Sequence, residues 1–160
     1  AREVMGEAGL APGLMATGSS GYHVVARIEP EHDYAVVGRA ARQLAGVMAA
    51  RRPEEATTEF LKRDREGRVF VDWLRNRWAQ SVVSPWSLRP RDGAPVAMPL
   101  DWEELDDTDP DGWRMAEAAR RLRPDPWPAP TSLDPGLIDE LASGHDVDVK
   151  EPFDRFGRNR

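Results

Sequence analysis

No cysteine occurs among the 160 residues, which excludes structural disulfides, thiol nucleophiles, cysteine-ligated zinc and iron-sulfur clusters. Nowhere does an apolar run approach the roughly 20 residues that a membrane-spanning helix needs. Ala1 to Leu10 lacks the basic and apolar regions of a secretory signal. A reducing compartment, the cytoplasm, is the simplest expectation, with no membrane partner. Lysine plus arginine total 22 against 28 aspartate plus glutamate, a net charge of −6 that disfavours a blanket basic nucleic-acid binder. The charges are unevenly placed. Arginines gather at Arg51 and Arg52, from Arg63 to Arg68 and from Arg75 to Arg91, whereas acid collects from Glu103 to Asp111. Because salt screens charges separated by more than about 8 Å, a local phosphate site between these zones stays open. Hydrophobic residues at 40 % and charged residues at 31 % fit one folded domain.

Helical spacing of Val4, Met5 and Ala8 before Gly9 predicts the last turns of a helix. Ala11, Pro12 and Gly13 are expected to turn the chain, and Tyr22 to Ile28 to form a strand. Asp33 is placed to cap a long helix in which Val37, Ala40, Leu44, Val47 and Met48 recur at three or four residue steps. Alternation predicts a strand over Arg68 to Leu74, with Ser81 to Ser84 as its partner. Prolines at 90, 95 and 99 argue against regular structure there, and Leu100 to Leu105 reads as a short capped helix entering an acidic loop. Further helices are expected within Trp113 to Leu122 and Asp134 to Leu141, then a loose polar tail from Gly144 to Arg160. The order strand, crossover helix, strand, strand implies an α/β (α+β) fold with a mixed or antiparallel sheet and a proline-rich C-terminal region.

Three groups of residues could carry chemistry. Thr17-Gly18-Ser19-Ser20-Gly21-Tyr22-His23 joins glycines, which let backbone amides approach an anion, to hydroxyls and an imidazole. It is either a phosphate site or a flexible turn, and it lacks the lysine of a Walker loop. Asp72, set among apolar neighbours, either pairs with an arginine such as Arg89 or ligates Mg²⁺ or Mn²⁺. A two-metal clamp needs more carboxylates than this one. Arg75-Asn76-Arg77, with Ser87 and Arg89, supplies forked donors for phosphate and paired donor and acceptor groups for sugar or base edges. These same residues also suit an ordinary charged surface. The aspartates at 106, 107, 109 and 111 read as a solvated loop.

Taken together, Thr17 to Val25, Gly67 to Asn76 and Val83 to Arg89 closely resemble the polymerase domain attached to, or encoded beside, the bacterial ATP-dependent DNA ligases of end joining. That domain belongs to the archaeo-eukaryotic primase superfamily. The resemblance extends over residues 1–127 and covers the later half of the domain, leaving 128–160 as a short helix and tail. It implies metal-dependent attack of a primer 3′-hydroxyl on the α-phosphate of a nucleoside triphosphate, using Mn²⁺ or Mg²⁺. Thr17, Ser19 and His23 would lie at the nucleotide phosphates, His23 and Asp72 would be catalytic with Asp72 the metal-binding carboxylate, and Asn76, Ser87 and Arg89 would support the nucleotide. DNA ends or primer-template, a ligase or an end-binding protein are the implied partners. The family's Asp-x-Asp strand is expected before Ala1, Ser20 stands at a commonly basic place, and Trp78 replaces a common arginine. Both replacements are expected to weaken triphosphate binding. A nucleotide- or DNA-binding module without catalysis and a structural or protein-interaction remnant are the alternatives.

Overall fold

The computed structural model describes residues 1–123, 125–147 and 149. Helix α1 (Arg2–Glu7) ends as its sequence implies: Gly9 takes φ +74°, and the Leu10 N–H reaches back to Met5 O at 2.9 Å. Strand β1 (Pro12–Ala16) follows at once and pairs antiparallel with β2 (Tyr22–Ala26). Helix α2 (Tyr34–Arg51) is capped by Asp33, whose Oδ1 accepts from the amides of Ala35 and Val36, each at 3.0 Å. Its Ala40, Leu44 and Val47 are buried and Val37 and Met48 pack beside them, the stripe that the sequence spacing predicts.

Beyond α2 the chain departs from expectation. The Arg68 to Leu74 strand shrinks to β4 (Val69–Phe70), which pairs in parallel with β3 (Ala56–Thr57) and not with Ser81 to Ser84. Alternation fails with it, since Val69 is 69 % exposed while Trp73 is 3 % exposed. The Asp72 carboxylate accepts from the Leu74 amide at 3.0 Å, and Asn76 N–H donates to Trp73 O at 3.2 Å. A short polar side chain that bonds its own backbone competes with a strand ladder, and here it ends the strand. Strand β5 (Met98–Leu100) forms where the prolines argued against one, and completes the sheet order β2-β1-β5. As an edge strand it tolerates Pro99, which has no amide to donate. The turn read at Ala11 to Gly13 is corrected in the same way, because Pro12 and Gly13 open the central strand.

Two larger apolar clusters flank this frame. Leu14, Ala16, Val96, Met98, Leu100 and Ala118 pack between the sheet and the chain that follows it, with Ala118 on α3 (Met115–Ala119). Val4, Ala8, Leu44, Val47, Ile138 and Ala142 join α1 and α2 to α4 (Pro135–Ser143), which begins at a capping Asp134. Arg51 fastens these helices by donating to both Glu7 carboxylate oxygens, at 2.7 and 2.6 Å, and to His145 Nε2 at 3.0 Å. Most of the expected tail, residues 148 and 150–160, lies outside the described residues. Val149 is an exception to its polar reading, being 4 % exposed beside Ala45 and Trp73. No described helix is long and apolar enough to cross a membrane.

Truncating Ile138, which is 1 % exposed, should lower the unfolding free energy. Ile138→Ala is expected to cost about 2–5 kcal/mol in urea denaturation. A cost under about 1 kcal/mol would remove α4 from the common core.

Candidate nucleotide site

The loop joining β1 to β2 carries the first group of predicted residues. Its ends are held by Thr17, 8 % exposed, whose amide and hydroxyl both donate to Gly21 O, at 3.1 and 2.6 Å. The hydroxyl is therefore engaged in shaping the loop. Gly18 takes φ +64° and donates its amide to Pro110 O at 2.8 Å. Ser19 is half-buried next to it. Antiparallel pairing then sets His23 opposite Met15, which itself faces Pro99 across the sheet.

Arg89 comes to this loop from the other side. Trp86 to Leu88 run beside Val96 and Ala97, with Trp86 N–H donating to Ala97 O at 2.7 Å and Ala97 N–H to Ser87 O at 2.9 Å. Arg89 N–H closes the ladder on Pro95 O at 2.8 Å. A Cβ on Gly18 would stand 2.6 Å from Arg89 Cγ and 3.1 Å from backbone atoms of Val96 and Ala97. Only glycine leaves space for that arginine to cross. Its Nε is buried and has no hydrogen-bond partner, the kind of orphaned donor that an oxyanion would satisfy.

His23 links the groups electrostatically. Burial pushes its imidazole below the ordinary value of 6.5, the Asp72 carboxylate pulls it back up, and the Arg89 guanidinium lowers it further. The charges of two other sequence segments thus reach His23. Asn76 is directed elsewhere: its Nδ2 donates to Trp73 O at 3.0 Å, and its carbonyl lies 3.0 Å from where a Gly38 Cβ would be, against α2. Ser87 is half-buried with its backbone committed to the ladder, two residues before Arg89.

Sequence reasoning missed how the acidic loop enters. Besides the bond from Gly18 to Pro110, the Tyr22 hydroxyl donates to Thr108 O. Burial and the neighbouring Asp109 carboxylate both raise the Tyr22 phenol above its ordinary value. No local signal marked this docking, which spans 86 residues of chain. The donor set gives a clear answer about metal. Asp72 offers a hard oxygen ligand of the type Mg²⁺ or Mn²⁺ accepts. Among the described residues, however, no group of three His, Asp or Glu side chains gathers to hold an ion. One carboxylate falls short of a two-metal site, which needs several anionic ligands.

Residues 1–127 match the family described as LigD, primase-polymerase domain. The chain belongs to this family. Among LigD relatives, the multifunctional non-homologous end joining protein LigD of Pseudomonas aeruginosa is 33 % identical over 129 residues, covering 78 % of this chain and 15 % of that protein. The multifunctional non-homologous end joining DNA repair protein LigD of Mycobacterium tuberculosis (strain H37Rv) is 31 % identical over 163 residues, covering 99 % of this chain and 20 % of that protein. The chain therefore spans a fifth or less of the length of these curated relatives. A solved structure, the polymerase domain from Mycobacterium tuberculosis ligase D in complex with DNA, matches with a TM-score of 0.71 and 27 % identity. That match covers 92 % of this chain and 47 % of the other. The small antiparallel sheet with its helices is thus the LigD polymerase-domain fold, as the sequence resemblance implied.

Neutral His23 makes stability depend on pH in a defined direction. Its folded value lies below the unfolded 6.5, so the unfolded chain takes up the proton first. The contribution of neutral His23 is full above 6.5 and is lost as pH falls below it towards the folded value. An NMR titration of the three imidazoles should place the His23 midpoint below 6.5, and a midpoint above it would contradict the burial argument. Gly18→Ala should lower stability by about 1–3 kcal/mol through left-handed strain and overpacking, read by thermal melting.

Proposed function

We propose that this chain forms the nucleotide-phosphate side of a primase-polymerase site that extends a primer 3′-hydroxyl with nucleoside triphosphates during DNA end joining. The observation that carries the reading is the buried, unpartnered Arg89 Nε beside Gly18 of the Thr17 to Gly21 loop, with His23 feeling the charges of Asp72 and Arg89, in a chain of the LigD primase-polymerase family. Arg89 would pair with phosphate oxygens of the incoming nucleotide through its fork, and Gly18 keeps open the space that the side chain crosses. His23, neutral near pH 7, would give a directed hydrogen bond without adding charge. The loop Thr17 to Gly21, with Ser19 beside the Gly18 seat, sets the height at which the phosphates rest. Asn76 and Ser87 act through the backbone that carries Asp72 and Arg89. Asp72 would be one oxygen ligand for Mg²⁺ or Mn²⁺. No described strand carries an Asp-x-Asp pair, so this reading requires further carboxylates beyond Asp72 to complete a two-metal site.

The reaction is attack of the primer hydroxyl on the α-phosphate with departure of pyrophosphate. Protein groups contribute by positioning and by stabilising charge on the phosphoryl oxygens. A DNA end or primer-template, a ligase and an end-binding protein are the partners this reading implies. A second reading, a nucleotide- or DNA-binding module without nucleotide addition, draws support from the single carboxylate whose charge reaches His23.

Primer extension with Mn²⁺ separates the two. The 160-residue chain is compared with the same chain preceded by the genomic sequence upstream of it. Extension is expected only from the longer protein, and Arg89→Ala and Asp72→Ala are each expected to reduce it by about 100-fold or more. Full activity in Asp72→Ala would sink the ligand assignment. Nucleotide binding without extension in either protein would establish the second reading.

A further inference from the structure

Two large aromatic rings face solvent together where the chain beyond Asp72 meets α2. Trp78 is 76 % exposed and Tyr34, the first residue of α2, is 59 % exposed. Their ring centroids lie 5.7 Å apart at an interplanar angle of 76°, an edge-to-face pair. One exposed aromatic needs no explanation, whereas two in contact make an apolar patch that water does not favour.

The patch is held firmly. Trp78 stands in a turn in which Ala79 takes φ +58° and Gln80 N–H donates to Arg77 O at 3.3 Å. Arg75 Nη1 donates to Gln80 Oε1 at 2.9 Å across the same turn. Arg77 lies 4.6 Å from the ring centre of the buried Trp73, and Asn76 rests against Gly38 one turn along α2 from Tyr34. Trp78 is six residues from Asp72, so the ring's backbone lies within about 20 Å of that carboxylate even for fully extended chain. The basic side chains gather here in sequence, between Asp72 and Asp92. Residues 73–91 include four arginines, at 75, 77, 89 and 91, and no acid, within a chain of net charge −6. The acid preceding Tyr34, Asp33, is occupied as the cap of α2.

We infer that Trp78, braced by Tyr34, is a stacking platform for an unpaired base of single-stranded DNA, whose phosphates run along the arginine stretch 73–91. Aromatic faces accept any base, and the surrounding cations complement the sugar-phosphate backbone. This inference deepens the polymerase reading and takes from it the class of ligand.

The test is fluorescence anisotropy of a labelled single-stranded 12-mer with the full chain and its variants, with circular dichroism confirming folding. Trp78→Ala should weaken binding about 5- to 150-fold, the loss expected for one base-aromatic stack. Trp78→Phe should stay within a few-fold of the parent. The dependence of affinity on salt should be the same in parent and Trp78→Ala, because no phosphate contact is removed. An oligonucleotide bearing abasic sites should bind the parent as weakly as the intact strand binds Trp78→Ala. Equal binding by parent and Trp78→Ala, undiminished binding of the abasic strand, or no binding by the parent would overturn the inference. Tenfold tighter binding of an RNA 12-mer would overturn the assignment to DNA. Base-dependent binding without primer extension would keep the platform while the polymerase reading fell, and extension unaffected by Trp78→Ala with unchanged binding would do the reverse.

Discussion

Strand β1 is buried along Leu14, Met15 and Ala16, and it pairs on both sides. Since a one-residue slip in a strand exchanges its faces, a doubly paired and buried strand has only one workable register. That register places His23 opposite Met15 and places Thr17, the first residue past the strand, at the mouth of the loop. The chain from Ser87 to Arg89 gets its own position from Val96 and Ala97, just before β5 pairs with the same central strand. Arg89 and His23 therefore approach each other because both are referred to β1 through rigid pairing. Asp72 reaches them through the irregular chain that β4 leads into, which is fastened by the burial of Trp73.

Local chemistry was legible and remote pairing was not. Asp33 and the stripe from Val37 to Met48 announce α2, Gly9 announces the end of α1, and Asp134 before Pro135 announces α4, because caps and helical periodicity act within a few residues. Strand β1 was hidden for a physical reason. Residues buried on both faces show no alternation, and Pro12 and Gly13 imitate a turn. Strand β5 was hidden by Pro99, which an edge position accommodates. Val69 to Leu74 misled in the opposite sense, its alternating sequence giving way to the local turn made by Asp72.

At the candidate site, residue types pointed to His23, Asp72 and Arg89, while the approach of Arg89 to a loop some 66 residues earlier in the chain, near His23, had no local signature. Gly18 was recognisable as a loop glycine, yet its use as a seat for Arg89 appears only once Val96 and Ala97 are in place. The acidic loop docks through its backbone, Pro110 O on Gly18 and Thr108 O on Tyr22, while its aspartates at 106, 107, 109 and 111 stay exposed to solvent, as the sequence reading expects.

The seam after residue 127 has a consequence for what counts as the folding unit. Arg27 donates to Pro128 O, Asp125 Oδ2 and Trp127 O, at 2.9, 2.9 and 3.4 Å, and Trp127 covers Gly13 of the central strand. Leu133, Ile138 and Ala142 then complete the cluster begun by α1 and α2. The family match and the packed core thus end at different places. A segment that closes a shared core opens together with its neighbours, so α4 and α2 form one cooperative block across that limit.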